Sequence, residues 1–181
     1  YIYIIMFNDT IAKRVTLYYA STSNALNQLF HTHSVVAYTR IISVGEQITG
    51  RQLELMETAA WLHDIGCPNA RTKYGEALHI YQQKEGRLLA EEWLKDYPEL
   101  TEEEKSWLIE VVGTHHQHKD AVEKGFIPLF EADIIANLGD GYYKRHEAAR
   151  LRSNFFKTHT GIKILNALYA DDIHPSSVFH F

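Results

Sequence analysis

The chain reads as an all-α domain, a helical bundle, and three observations predict it. Apolar residues recur at helical spacing along nearly the whole sequence. No alternating run bounded by turns is long enough to build a sheet, and only the opening Tyr1-Ile-Tyr-Ile-Ile5 looks strand-like. Capping and breaking residues divide the periodic stretches into segments suited to separate helices.

The elements follow in order. Residues 9–19 form a first helix behind an Asn8 or Asp9 cap, and Ser21-Thr-Ser-Asn24 breaks it. A second helix over residues 25–47 carries His31. Thr49-Gly50 opens a third, in which Leu53, Met56, Ala60 and His63 share a stripe, and Gly66 with Pro68 ends it. Residues 69–76 read as a polar loop, and a helix over residues 78–95 stops before Pro98. Thr101-Glu-Glu-Glu104 is a capping box for the next helix, which ends near His115-His116. Residues 119–125 form a hydrophilic connection. Pro128 suits the first turn of a helix carrying Leu129, Phe130, Asp133, Ile134 and Asn137, and Gly139-Asp-Gly141 closes it. A basic helix over residues 143–152, another over 161–170 and a loose tail over 171–181 complete the chain.

With 181 residues, 45% hydrophobic and 23% charged, the sequence fits one domain, its core over residues 25–170. A net charge of −5 argues against a general grip on nucleic acid or on an anionic membrane. Cys67 is the only cysteine, so an intrachain disulfide and thiolate zinc clusters are excluded, which suits a reducing, cytoplasmic setting. The apolar start is too short to span a bilayer and lacks a basic leading segment and a cleavage site. Met6 as the natural start would make residues 1–5 an upstream extension. A homo-oligomer is compatible with all of this.

The chemistry gathers around His63-Asp64, set in the apolar stretch Ala59-Ala-Trp-Leu-His-Asp-Ile-Gly66. An ionised carboxylate in such surroundings needs a partner, and a metal ion neutralises and coordinates both residues at once. Helical phase chooses between the two histidines of Phe30-His-Thr-His33. His31 shares a stripe with Val35, Tyr38 and Ile42, whereas the stripe of His33 runs on to Arg40 and faces solvent. Asp133, among Phe130, Ile134 and Asn137 on an apolar face, is the fourth candidate ligand. Imidazole and carboxylate donors suit a divalent transition metal: zinc, manganese, iron, nickel or cobalt.

His115 and His116 leave one helix end toward the interior, where they could bind a second ion, contact a phosphate or act as acid or base. Gln82 and Glu85 precede Gly86 and are weaker candidates for the same cavity. Arg71 and Lys73, just after the His-Asp pair, offer charge to a substrate phosphate. Lys144, Arg145, Arg150 and Arg152 read as a solvated basic face, and Cys67 as packing. His174 and His180 are given no role.

The order and spacing of His31, His63-Asp64 and Asp133 resemble the HD superfamily of metal-dependent phosphohydrolases, an all-helical fold named for the adjacent His and Asp. His31-Thr-His-Ser-Val35 is similar to the family's first histidine segment, Val112-Gly-Thr-His-His116 to its histidine pair and Glu131-Ala-Asp-Ile-Ile-Ala-Asn137 to its final aspartate segment. Phe156-Lys-Thr-His-Thr-Gly-Ile-Lys163 resembles the C-terminal segment of a bacterial branch of predicted hydrolases. The resemblance implies a metal held by His31, His63, Asp64 and Asp133, with activated water attacking a small phosphorylated substrate, a phosphomonoester or phosphodiester, a nucleotide being favoured. Asp64, His115 and His116 would carry the catalysis, with Lys73, Arg71 and Gln82 near the substrate. Cys67 stands where many members have lysine, and Gln82 where two-metal members often have histidine. One ion is therefore expected, with a second open. No Glu-Asp pair of the alarmone-hydrolysing branch is present. The alternatives are an HD-type sensor or interaction module that binds metal and ligand without hydrolysis, and a di-iron oxygenase on the same helices.

Overall fold

The computed structural model describes residues 7–173, and every regular element among them is helical. The strand-like reading of residues 1–5 and most of the tail reading lie outside the described residues. In chain order the helices are α1 (Phe7–Ala20), α2 (Ala25–Gly45), α3 (Gly50–Leu62), α4 (Cys67–Tyr74), α5 (His79–Trp93), α6 (Glu102–Thr114), α7 (His118–Glu123), α8 (Ile127–Gly139), α9 (Ala148–Phe155), α10 (His159–Leu168) and α11 (Ala170–Ile173).

Helix α8 is the axis of the bundle. Its residues from Pro128 to Ala136 are all buried, as expected of a helix that is apolar nearly all round. α2 packs along it, α3 packs on α2 and also meets α6 and α8, and α1 covers α2 and α3. α5 lies against α6, with α4 packed on α5. Asp133 therefore enters the core on the one helix that has no solvent face to turn it toward. The capping box of α6 forms as expected: Thr101 N–H donates to Glu104 Oε2 at 2.8 Å and Glu104 N–H to Thr101 Oγ1 at 3.2 Å.

Several boundaries differ from the sequence reading. Residues 69–76 are not a loop, because α4 occupies most of them: Pro68 lies in its first turn, Cys67, Pro68 and Ala70 are buried, and Gly75 closes it at φ +79°. A proline at the start and a left-handed glycine past the end are a helix signature that polar composition concealed. Pro68 thus opens α4 rather than ending α3, which stops at Leu62. Residues 119–125 contain α7, anchored by buried Ala121. The basic segment starts as a single 3₁₀ turn, Arg145–Glu147, and continues as α9; the tail begins with α11.

Two contacts fix the helices that carry the candidate site. Gly66 has right-handed backbone angles, φ −76° and ψ −17°, so glycine is not needed there for its conformational freedom. It is needed for space: a Cβ at Gly66 would lie 2.0 Å from the Gln82 carbonyl oxygen and 2.3 Å from the Gly86 nitrogen. The turn after α3 and the middle of α5 therefore meet backbone to backbone. The second contact is Glu131, fully buried two residues before Asp133. Its carboxylate accepts from Lys157 N–H at 2.5 Å, from Thr158 N–H at 2.9 Å and from the Thr158 hydroxyl, tying α8 to the start of α10. Gly161 leaves room for that carboxylate, since a Cβ there would fall 2.0 Å from Glu131 Oε2.

Candidate metal centre

Three segments bring four donor residues together, with His31, His63 and Asp64 close enough to hold one ion and Asp133 beside them. His31 comes from α2, His63 and Asp64 from the turn that follows α3, and Asp133 from α8. His31 Nε2 lies 3.4 Å from His63 Nε2, 3.7 Å from Asp64 Oδ2 and 3.2 Å from Asp133 Oδ1. His63 Nε2 lies 3.6 Å from Asp64 Oδ2 and 3.9 Å from Asp133 Oδ1. Donors placed about 2.0–2.2 Å from a shared ion stand roughly 3–4 Å from one another, so this spacing fits a metal.

The hydrogen bonds behind the donors orient them. His63 Nδ1–H donates to the Ala60 carbonyl at 2.7 Å, because a carbonyl oxygen can only accept. His31 Nδ1 stands 2.7 Å from Asp140 Oδ2. In both cases Nε2 is the atom turned to the cluster, the outer-shell arrangement that holds metal-binding imidazoles in place. Asn137 donates to Asp133 Oδ1 at 2.9 Å and Gln28 to Asp64 Oδ2 at 3.1 Å.

A second set adjoins the first. His115 Nδ1–H donates to the Val112 carbonyl at 2.9 Å, leaving Nε2 aimed at Asp64 Oδ1, 3.4 Å away. Neither Asp64 Oδ1 nor His115 Nε2 makes a hydrogen bond, although both are buried. Orphaned buried polar atoms are rare, and these two have the chemistry of metal donors. Asp64, His115 and His116 also lie within reach of a single ion. His116 is engaged on its other side: Gln82 Nε2 contacts His116 Nε2, while the Cys67 thiol donates to Gln82 Oε1 at 2.6 Å. Both groups thus fit cations: the first unites His31, His63 and Asp64, with Asp133 Oδ1 beside it at 3.2 Å from His31 Nε2.

The charges are strongly perturbed. Burial alone would raise Asp64 and Asp133, but the surrounding imidazoles outweigh it, holding Asp64 well below the usual carboxylate range and Asp133 at about 2. Burial lowers His63, and burial with neighbouring His115 takes His116 to about 2. Burial would also lower His31, yet Asp133, Asp64 and Asp140 push it up to about 10. Without metal, His31 therefore carries a proton at neutral pH. An ion needs that lone pair, so zinc binding at pH 6 is expected to release about one proton, and affinity should rise with pH as that proton becomes easier to lose. Titration calorimetry in buffers of different ionisation enthalpy measures the release, and a value near zero would remove His31 from the ligand set.

The cluster forms the floor of a cavity of about 250 Å³. Arg71, Gln82 and His116 line it, but Lys73 does not: its ammonium is exposed and pairs with Glu85, which also receives the Tyr74 hydroxyl at 3.1 Å. His33 is exposed and packs edge-on against Trp61. Arg145 pairs with Asp172 and Arg150 with Glu147, as a solvated face would. The sequence reading missed Gln28, His79, Asp140 and Tyr142, which also line the cavity. Two of these were detectable. Gln28 precedes His31 by three and Asp140 follows Asp133 by seven, so each continues a polar stripe on its helix face. His79 stacks on His116 with ring centres 3.7 Å apart, a tertiary contact that no spacing announces.

No helix among the described residues is long and apolar enough to cross a membrane. No family model, no curated protein and no solved structure matches this chain, and the evidence for metal lies in its own buried His and Asp groups.

Proposed function

We propose that the protein is a metal-dependent phosphohydrolase of the HD type, acting on a small phosphate ester such as a nucleotide. The observation that supports this best is the grouping of His31, His63 and Asp64 donor atoms within 3.4–3.7 Å, with Asp133 Oδ1 3.2 Å from His31 Nε2, beside Asp64 Oδ1 and His115 Nε2, which make no hydrogen bond. A divalent ion held there lowers the pKa of water and offsets charge on phosphoryl oxygens. Asp64 presents one oxygen to each donor set and so couples them. His115, raised by Asp64 and Asp133 despite complete burial, would offer a proton to a phosphoryl or leaving-group oxygen when it is not itself a ligand. His116, kept neutral, faces Asp133 through Nδ1 at 3.7 Å and lines the cavity wall. The cavity is smaller than the range of roughly 300–1,000 Å³ typical of drug-sized ligands, which suits a compact substrate.

The Cys67–Gln82–His116 contacts favour a second reading, in which the site binds metal and ligand without turnover, because Gln82 occupies the nitrogen of His116 that faces α5. The two separate on one assay. The zinc- or manganese-loaded protein should hydrolyse a panel of nucleotides and 4-nitrophenyl esters, and His115→Ala should lower kcat by about a hundredfold or more with the ion retained in the first group. A loaded wild type that is stabilised by a nucleotide yet returns it intact supports the binding module instead.

A further inference from the structure

Arg71 differs from six other arginines of the chain. Arg14, Arg40, Arg51, Arg87, Arg145 and Arg150 each pair with a carboxylate, whereas Arg71 has no carboxylate partner among the described residues. It is half-buried on α4 and is the only arginine or lysine lining the cavity. Both terminal nitrogens of its guanidinium reach one neutral oxygen, Gln28 Oε1, at 3.3 Å. Gln28 is itself buried, 5% exposed, and its amide donates to Asp64 Oδ2 at 3.1 Å. One side chain thus spans from the metal-binding cluster to the guanidinium, and it fixes how far apart they stand.

A single amide oxygen at that distance is a weak partner for a two-pronged donor, and a phosphate offering two anionic oxygens is a strong one. Asp64, Asp133 and Asp140 bring negative charge to the cavity, and no other arginine or lysine lines it to offer an anion such a fork. From these contacts we propose that Arg71, positioned by Gln28, is a phosphate-reading arm that makes the site select phosphomonoesters over phosphodiesters; the selectivity rests on the phosphohydrolase reading above. Occupying the guanidinium fork takes two oxygens of one phosphate, and the His31–His63–Asp64–Asp133 side needs another. A phosphomonoester has three non-bridging oxygens and satisfies both. A phosphodiester has two, and cannot fill the fork and reach the cluster as well.

The test uses the full chain loaded with one equivalent of zinc, with inorganic phosphate as the probe. Arg71→Ala should weaken phosphate binding, measured by calorimetry, by about tenfold or more, and Arg71→Lys should restore only part, since an ammonium supplies charge without the fork. Zinc content should be unchanged in both variants, which separates this arm from the metal ligands. The wild type should turn over 4-nitrophenyl phosphate in preference to bis(4-nitrophenyl) phosphate, and Arg71→Ala should erase most of that preference. Phosphate affinity in Arg71→Ala within twofold of wild type, or a wild type that prefers the diester, overturns the proposal. If phosphate binding depends on Arg71 but neither ester is turned over, the hydrolase reading falls and the phosphate arm stands.

Discussion

Replacing His63 and Asp64 together by alanine is expected to remove the bound ion while leaving a helical protein. The wild type after dialysis against zinc should retain at least one equivalent, and the double variant essentially none. The change removes two of the three donors of the first group, one of which, Asp64, is shared with the second. Loss of a single outer-shell partner costs about 10–100-fold in metal affinity, so loss of two ligands must exceed that range. Stability should move less. Asp64 is buried, and its removal relieves a desolvated charge while stranding the Gln28 amide. A buried polar group left without its partner costs about 1–3 kcal/mol, within what a domain of this size can lose and stay folded. Elemental analysis alongside circular dichroism checks both halves. Unchanged zinc content in a folded double variant would sink the metal assignment, and with it the proposed hydrolysis.

The clustering of these residues was legible because helical phase is a strong constraint on which side chains share a face. His31 and His33 differ by two residues, and two residues turn a helix through about 200°, so only one of them can face the core. The Arg40 stripe identified the outward one, and in the structure His33 is exposed while His31 joins the cluster. Asp133 was legible for the complementary reason, since a carboxylate inside an apolar helix has to meet a partner. Phase says nothing about distance between helices, and there the reading stopped. It placed Arg71 and Lys73 together, yet Arg71 points into the cavity and Lys73 is drawn outward to Glu85. The two roles depend on α4 being a helix, and its polar composition masked the Pro68 and Gly75 signals. Glu131 was quoted only as part of a motif. Its function as the anchor for Lys157 and Thr158 depends on residues 26 and 27 positions later, a pairing that local periodicity does not encode.

The contact that joins fold and site most directly is Gly66 against α5, and Gly66→Ala is expected to be the most destabilising single methyl added to this chain. The new Cβ would stand 2.0 Å from the Gln82 carbonyl oxygen and 2.3 Å from the Gly86 nitrogen, and neither atom can rotate away because both belong to helical backbone. Separation of the turn from α5 is the only relief. Overpacking a well-filled interior costs about 1–3 kcal/mol when side chains can adjust, so a backbone clash should cost about 3 kcal/mol or more. Gly86→Ala is the matched control on the opposite face of the same contact. Its Cβ would meet Val112 Cγ1 at 2.8 Å, while the nearest Gly66 atoms lie at 3.4 and 3.6 Å, so a side chain rather than a backbone must yield. Alanine also gains up to about 1 kcal/mol over glycine inside a helix, which offsets part of that strain. Urea unfolding should therefore rank Gly66→Ala well below Gly86→Ala, with a lower midpoint and little change in slope. Because Gly66 shares its turn with Asp64, and Gln82 touches His116, the same displacement should weaken zinc binding in Gly66→Ala more than in Gly86→Ala. Equal midpoints for the two variants would mean that the turn and α5 do not meet backbone to backbone, and the position of Gln82 against His116 would then lose its structural basis.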